Sequence, residues 1–209
     1  MSTIAIRARM SRGAALLAAG LGFACAGSQA ARPAPAVLQD AGGGFTITET
    51  VRASGSARGD FESAVRALEQ KDYDRGIAQL TEVTQSAPDA TAAYIDLGIA
   101  YREKGDLERA EASLKKALEL NPRHPVALNE LGIVYRRTGR FADARKSYEQ
   151  ALATYPGFHF ARKNLAILCD LYLRDANCAL EQYQLYLQAV PADEKAAMWV
   201  ADLRARAGK

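Results

Sequence analysis

Histidine is nearly absent from this chain of 209 residues, which holds only His124 and His159. The two lie 35 positions apart at equivalent boundaries of repeating units, which suits repeat geometry better than a catalytic pair. The sequence also has no HExxH motif, no glycine-rich phosphate loop and no Cys/His zinc spacing, and its acidic residues are scattered. We therefore expect no enzyme activity, no metal and no cofactor. An excess of one charge is missing too. Lys and Arg number 27 against 24 Asp and Glu, and Arg7, Arg9 and Arg12 are the only charged residues in the first 24 positions, so the remainder is balanced. Without surplus cations to displace phosphate counterions, nucleic acid is not an expected partner. Nor does the N-terminal apolar stretch reach membrane-spanning length: Gly13 to Ala26 is 14 residues, where a helix needs about 20. What is present is enough to fold, since 49% of the residues are apolar.

Residues 1–26 read as an export signal, with three arginines as the positive region and Gly13 to Ala26 as the apolar one. Two cleavage chemistries fit. In the first, Cys25 becomes the lipidated first residue of a lipoprotein: Ala24 and Cys25 resemble a bacterial lipobox, while Gly22 and Phe23 depart from it and Leu21 sits one place early. In the second, signal peptidase cuts after Ser28-Gln29-Ala30 or after Ala24-Cys25-Ala26, where the recognition positions are small. Cysteine parity favours the first. There are three cysteines, and in an oxidising compartment a lipid on Cys25 leaves Cys169 and Cys178 to pair. The alternative is that Cys169 and Cys178 are small buried hydrophobes.

Residues 27–56 are rich in Ala, Pro, Gly, Ser and Thr, with Pro33, Pro35 and the triplet Gly42-Gly43-Gly44. Such a segment buries too little apolar area to offset its ordering entropy, so it reads as a flexible spacer. Within it, Phe45 to Val51 alternates apolar and polar residues and carries β-branched side chains, which is a strand pattern. With no pairing partner in view, extended linker is the favoured reading. The other is a segment that orders on a partner's sheet edge.

From residue 57 onward the sequence repeats itself. Pro88, Pro122 and Pro156 recur every 34 residues, and Pro191 follows after 35. Leu97-Gly98 with Tyr101 is matched by Leu131-Gly132 with Tyr135, and Ala110, Leu114 and Ala117 by Ala144, Tyr148 and Ala151. Gly98 and Gly132 fall inside helices, where glycine costs about 1 kcal/mol relative to alanine, so a close-packed neighbouring helix is the reason to expect. Gly105-Asp106 and Gly139-Arg140 read as turns between paired helices, and each proline stops the second helix. Neither helix of a pair can bury its faces alone, so the pairs must stack.

This pattern resembles the tetratricopeptide repeat. The resemblance implies an all-α fold, a right-handed superhelical solenoid of four helix hairpins with units at 57–90, 91–124, 125–158 and 159–192. A cap helix and tail follow at 193–209, with Ala197, Val200, Ala201 and Leu203 on one side. The first unit has Ser63 where Leu is expected. The last places Cys169 where Tyr is expected and carries one extra residue between Cys169 and Cys178, near its turn. Two cysteines on the facing ends of such a hairpin could come within disulfide reach, with the longer turn giving the backbone room, and the bond is one of the two readings of this pair.

In this family the first helices of successive units line a concave surface. The register carries over to Ile95, Ile99 and Arg102, then Asn129, Ile133, Arg136 and Arg137, then Lys163 and Ile167. The implied ligand is a peptide with apolar anchors and acidic character, on a floor of Ile99, Ile133 and Ile167. A solvated basic rim is the competing reading. The Lys and Asn set by which some members grip a C-terminal carboxylate is not reproduced in register. The whole arrangement, with Asn164 to Leu173 and Trp199 to Arg204, also looks similar to bacterial periplasmic repeat lipoproteins of TonB/ExbB-type envelope systems. Lipoproteins that pilot type IV pilus secretin assembly are the alternative. Either resemblance implies a periplasmic scaffold, on the outer membrane if Cys25 is lipidated and otherwise soluble, whose partners are envelope proteins or their peptide segments.

Overall fold

A computed structural model describes residues 3–11, 14–16, 20–21, 36–39, 45–49 and 55–206. Cys25, Pro33, Pro35 and the Gly42 to Gly44 triplet, on which the lipid and spacer readings turn, lie outside the described residues. The chain divides into two compact units, Met1–Pro122 and Arg123–Lys209.

Among its described residues the first unit opens with five strands: β1 (Thr3–Ser11), β2 (Ala14–Leu16), β3 (Gly20–Leu21), β4 (Ala36–Gln39) and β5 (Phe45–Glu49). They pair antiparallel in the order β2-β1-β5-β4, with β3 also on β1. Residues 45–49 of the stretch read as extended linker therefore have strand partners, while Thr50 and Val51 lie outside the described residues. β5 is paired on both edges, by β1 and β4, and Ile47 is buried at 0% exposure. The alternating, β-branched Thr46-Ile47-Thr48 suits a pleated strand, and its partner β1 comes from the stretch read as an export signal.

From Gly55 to Arg206 the described structure is helix and turn. The first unit continues with α1 (Gly55–Glu69), α2 (Tyr73–Ser86), α3 (Thr91–Glu103) and α4 (Leu107–Leu120). α1 packs on α2, α2 on α3 and α3 on α4, and α1 also touches α3 and β2. The second unit holds α5 (Pro125–Arg137), α6 (Phe141–Thr154), α7 (His159–Leu171), α8 (Ala176–Ala189) and α9 (Glu194–Arg206). There each helix packs on the next, and α5 also touches α7.

The glycines expected at helix crossings have a direct packing reason. A Cβ on Gly98 would stand 2.5 Å from Leu114 Cγ, and one on Gly132 would stand 2.5 Å from Tyr148 Cε1. Both partners are fully buried, so the absent methyl lets the two helices of each hairpin close. The turns use left-handed backbone at one recurring position: Gly105 at φ 85° and Gly139 at φ 78°, but Lys71 at φ 61° and Arg174 at φ 54° in the outer hairpins. Asp72, Asp106 and Asp175 then cap the second helices, each accepting a bond from the N–H three residues on, at 3.2, 3.0 and 3.0 Å.

In the second unit the core gathers Tyr148, Leu165, Leu168, Cys169, Tyr183, Val200 and Leu203. The inward stripe of α9 is Ala196, Val200 and Leu203, while Ala197 and Ala201 are exposed. The expected apolar side was therefore right at Val200 and Leu203 and wrong at the two alanines. Ala196 is the residue one turn before Val200, and helical periodicity selects it.

Candidate protein-binding face

On α3, Ile95 is buried at 0% exposure. Ile99 and Arg102 are half-buried, and Arg102 Nη1 meets Glu103 Oε1 at 2.8 Å. On α5, Asn129 is also buried, at 2%. Its amide donates to Glu130 Oε1 at 3.0 Å and its carbonyl accepts from Asn164 Nδ2 at 2.9 Å. Ile95 and Asn129 are therefore corrected from groove residues to interior ones. A buried amide needs partners, and Glu130 of its own helix and Asn164 of α7 supply them.

The remaining groove candidates of the second unit are accessible. Ile133 and Ile167 are half-buried against the core, and Arg136 is half-buried. Arg137 is exposed. Past them on the same helices, Leu171 is 65% exposed and, on α9, Met198 is 71% exposed. Met198 was not singled out by the sequence. Its repeat position matches Lys163, one unit on, and counting the register past Pro191 would have found it.

Lys163 is not a free cation. Its Nζ lies 2.6 Å from Asp193 Oδ2 and 3.5 Å from the Tyr186 hydroxyl, with the Tyr186 and Trp199 rings at 5.0 and 5.7 Å. The Tyr186 hydroxyl donates to the same carboxylate at 2.7 Å. Burial opposes ionisation of Asp193, but Lys163, Tyr186 and the Ala196 N–H outweigh it and hold the carboxyl down at about 2. Burial, then the hydrogen bond to Asp193, pushes the Tyr186 hydroxyl well up. The network ties the start of α9 to α7 and α8.

Arg136 behaves differently. Its Nη1 donates to the Tyr172 hydroxyl at 3.3 Å, and the Tyr172 ring leans on Phe141 at 4.9 Å. Close by, a disulfide joins Cys169 on α7 to Cys178 on α8, with their Cα atoms 5.9 Å apart. Asp170 pairs with Arg206 of α9 at 3.1 Å. The inner face thus combines half-open isoleucines with charged side chains held largely by internal partners. That arrangement suits contact with another polypeptide. Among the described residues no group of His, Cys, Asp and Glu could hold a metal ion, and no helix is long and apolar enough to cross a membrane.

The tetratricopeptide repeat profile matches residues 61–125, 95–158 and 129–169, together more than half of the chain. The chain belongs to the tetratricopeptide repeat family. No curated relative matches it significantly. Among solved structures it is similar to MamA from Desulfovibrio magneticus RS-1 (21% identity, TM-score 0.66, covering 74% of this chain and 87% of that one). It is similar to pilF of Pseudomonas aeruginosa (18%, 0.67, 72% and 68%). A third is the first repeat domain of Spaghetti (RPAP3) bound to the HSP90 peptide SRMEEVD (21%, 0.54, 56% and 94%). At these identities the likeness concerns the fold alone.

Proposed function

We propose that this protein is a periplasmic scaffold, tethered to the outer membrane by a lipid on Cys25, that holds protein partners in an envelope assembly and performs no catalysis. The observation that carries the reading is the inner face of the second unit, where Ile133 and Ile167 stay half-open and Leu171 and Met198 stand exposed on a repeat fold. Supporting it are the basic-then-apolar leader and the Cys169–Cys178 bond, which belongs to an oxidising compartment. A TonB/ExbB-type system is the narrower assignment and rests on the sequence resemblance. A secretin-assembly role is the second reading and likewise rests on the sequence resemblance. The likeness to a domain bound to an HSP90 peptide supports peptide-sized ligands in general.

Photo-crosslinking from Ile133 and Ile167 in intact cells tests the scaffold. Capture of an ExbB-like complex supports the first assignment and capture of a secretin the second, while only cytoplasmic partners would sink both. Labelling with a radioactive fatty acid tests the tether: label should appear in the wild type and vanish in Cys25→Ser.

A further inference from the structure

The last hairpin turn is built unlike the others. Three residues join α3 to α4 and α5 to α6, whereas Tyr172-Leu173-Arg174-Asp175 join α7 to α8. This longer turn is fixed from several sides. The disulfide spans it. Asp175 accepts from the Cys178 N–H at 3.0 Å and donates its own N–H to the Cys169 carbonyl at 2.9 Å, and Leu173 N–H donates to the Leu168 carbonyl at 3.0 Å. Tyr172 is held by Arg136 and Phe141. Yet Leu171 and Tyr172 are two of the three most exposed large apolar side chains among the described residues. An apolar pair that is held in place and left in water marks a contact surface rather than a fraying loop.

The charges around the pair point to the partner. Lys163, Arg145 and Arg206 all face carboxylates. Arg136 has a tyrosine hydroxyl instead, and Arg174 is exposed; neither has a carboxylate partner among the described residues. Two uncompensated guanidinium groups flanking an apolar pair complement carboxylates flanking an apolar side chain. A bilayer surface fits less well, because it calls for a wider field of cations than two arginines on a chain of balanced charge.

We infer that the disulfide-held corner of Leu171 and Tyr172, with Arg136 and Arg174, docks an acidic segment of a partner protein that carries an apolar side chain. The inference rests on the scaffold reading and assigns it a surface at the turn, beside the inner face.

The test places a photo-reactive residue at Leu171 of the full chain in its native cells and sequences the captured peptides. Leu171 is exposed, so this substitution spares the core. Captured peptides should carry Asp or Glu beside an apolar residue. Their yield should fall roughly tenfold in Arg174→Glu, with the melting temperature unchanged. Capture of phospholipid, of a second copy of this chain or of neutral segments would overturn the assignment, as would indifference to Arg174→Glu. Capture from Ile133 but not from Leu171 leaves the scaffold standing and removes the corner. Capture from neither position removes both.

Discussion

Gly132 and Tyr148 show how far a single missing methyl decides the packing of a hairpin. Alanine is the better helix former by about 1 kcal/mol, while overpacking a filled core costs about 1–3 kcal/mol. With a buried ring 2.5 Å from the new Cβ, the clash outweighs the propensity. Gly132→Ala should lose roughly 1–2 kcal/mol in urea denaturation, and Gly98→Ala a similar amount, because its Cβ would stand 2.5 Å from the branch carbon of the fully buried Leu114. A stabilised Gly132→Ala would show that the ring has room to move. His124 makes a second case. Burial holds its imidazole down at about 3, against 6.5 in an open chain. The unfolded chain therefore takes up a proton that the folded one refuses. The contribution is complete above pH 6.5 and drains away toward pH 3 at about 1.4 kcal/mol per pH unit. Stability of the wild type should fall more steeply than that of His124→Asn between pH 6.5 and 4, and equal slopes would show that His124 does not control it. Spacing alone marked the two glycines, because a 34-residue period exposes a costly residue kept at one position. It marked His124 only as a boundary residue, and it could not reveal that Lys163 meets Asp193. A period says which helix a residue is on, not which side chain of another helix reaches it.

Among the elements, α9 and the last hairpin carry the departures from the repeat. The amphipathic pattern located α9 but misplaced part of its inner stripe, since short alanines read alike on either side of a helix. Asp193 anchors its start: Oδ1 accepts from the Ala196 N–H at 3.0 Å, and Oδ2 receives Lys163 and Tyr186. Asp193→Ala removes a cap and strands a partly buried ammonium, so a loss of roughly 2 kcal/mol is expected. Restoring Lys163→Met in the same chain should recover part of it, and a double-mutant cycle without coupling would disprove the link. The disulfide acts on the neighbouring hairpin. Closing so short a loop restricts the unfolded chain by about 2.5 kcal/mol in the entropic account. Cys169→Ala/Cys178→Ser should lower stability by about that amount, read by denaturation without reductant. The extra residue in the turn was legible as a length change. The left-handed backbone at Arg174 was not, because no glycine marks it.

For the molecule as a whole, the repeat and the segment before it were unequally legible. Thirty-four-residue spacing recurs often enough to assign every helix from α1 to α8, whereas the strand pattern of Phe45 to Val51 occurs once and gives no hint of its partner. β1 and β4 supply that partner from residues read as leader and spacer. The question this raises is whether the helical array depends on the strands. The inward residues of α1, namely Ala57, Phe61, Ala64, Ala67 and Leu68, are buried, and α1 lies chiefly on α2, with only slight contacts to α3 and to β2. A chain beginning at Gly55 should then keep its helical circular dichroism. Its midpoint should stay within about 2 °C, less than the shift that 1 kcal/mol produces in a domain of this size. A larger drop would mean that the strands complete the first hairpin. Export processing would then weaken the fold, and the spacer could not act as an independent tether.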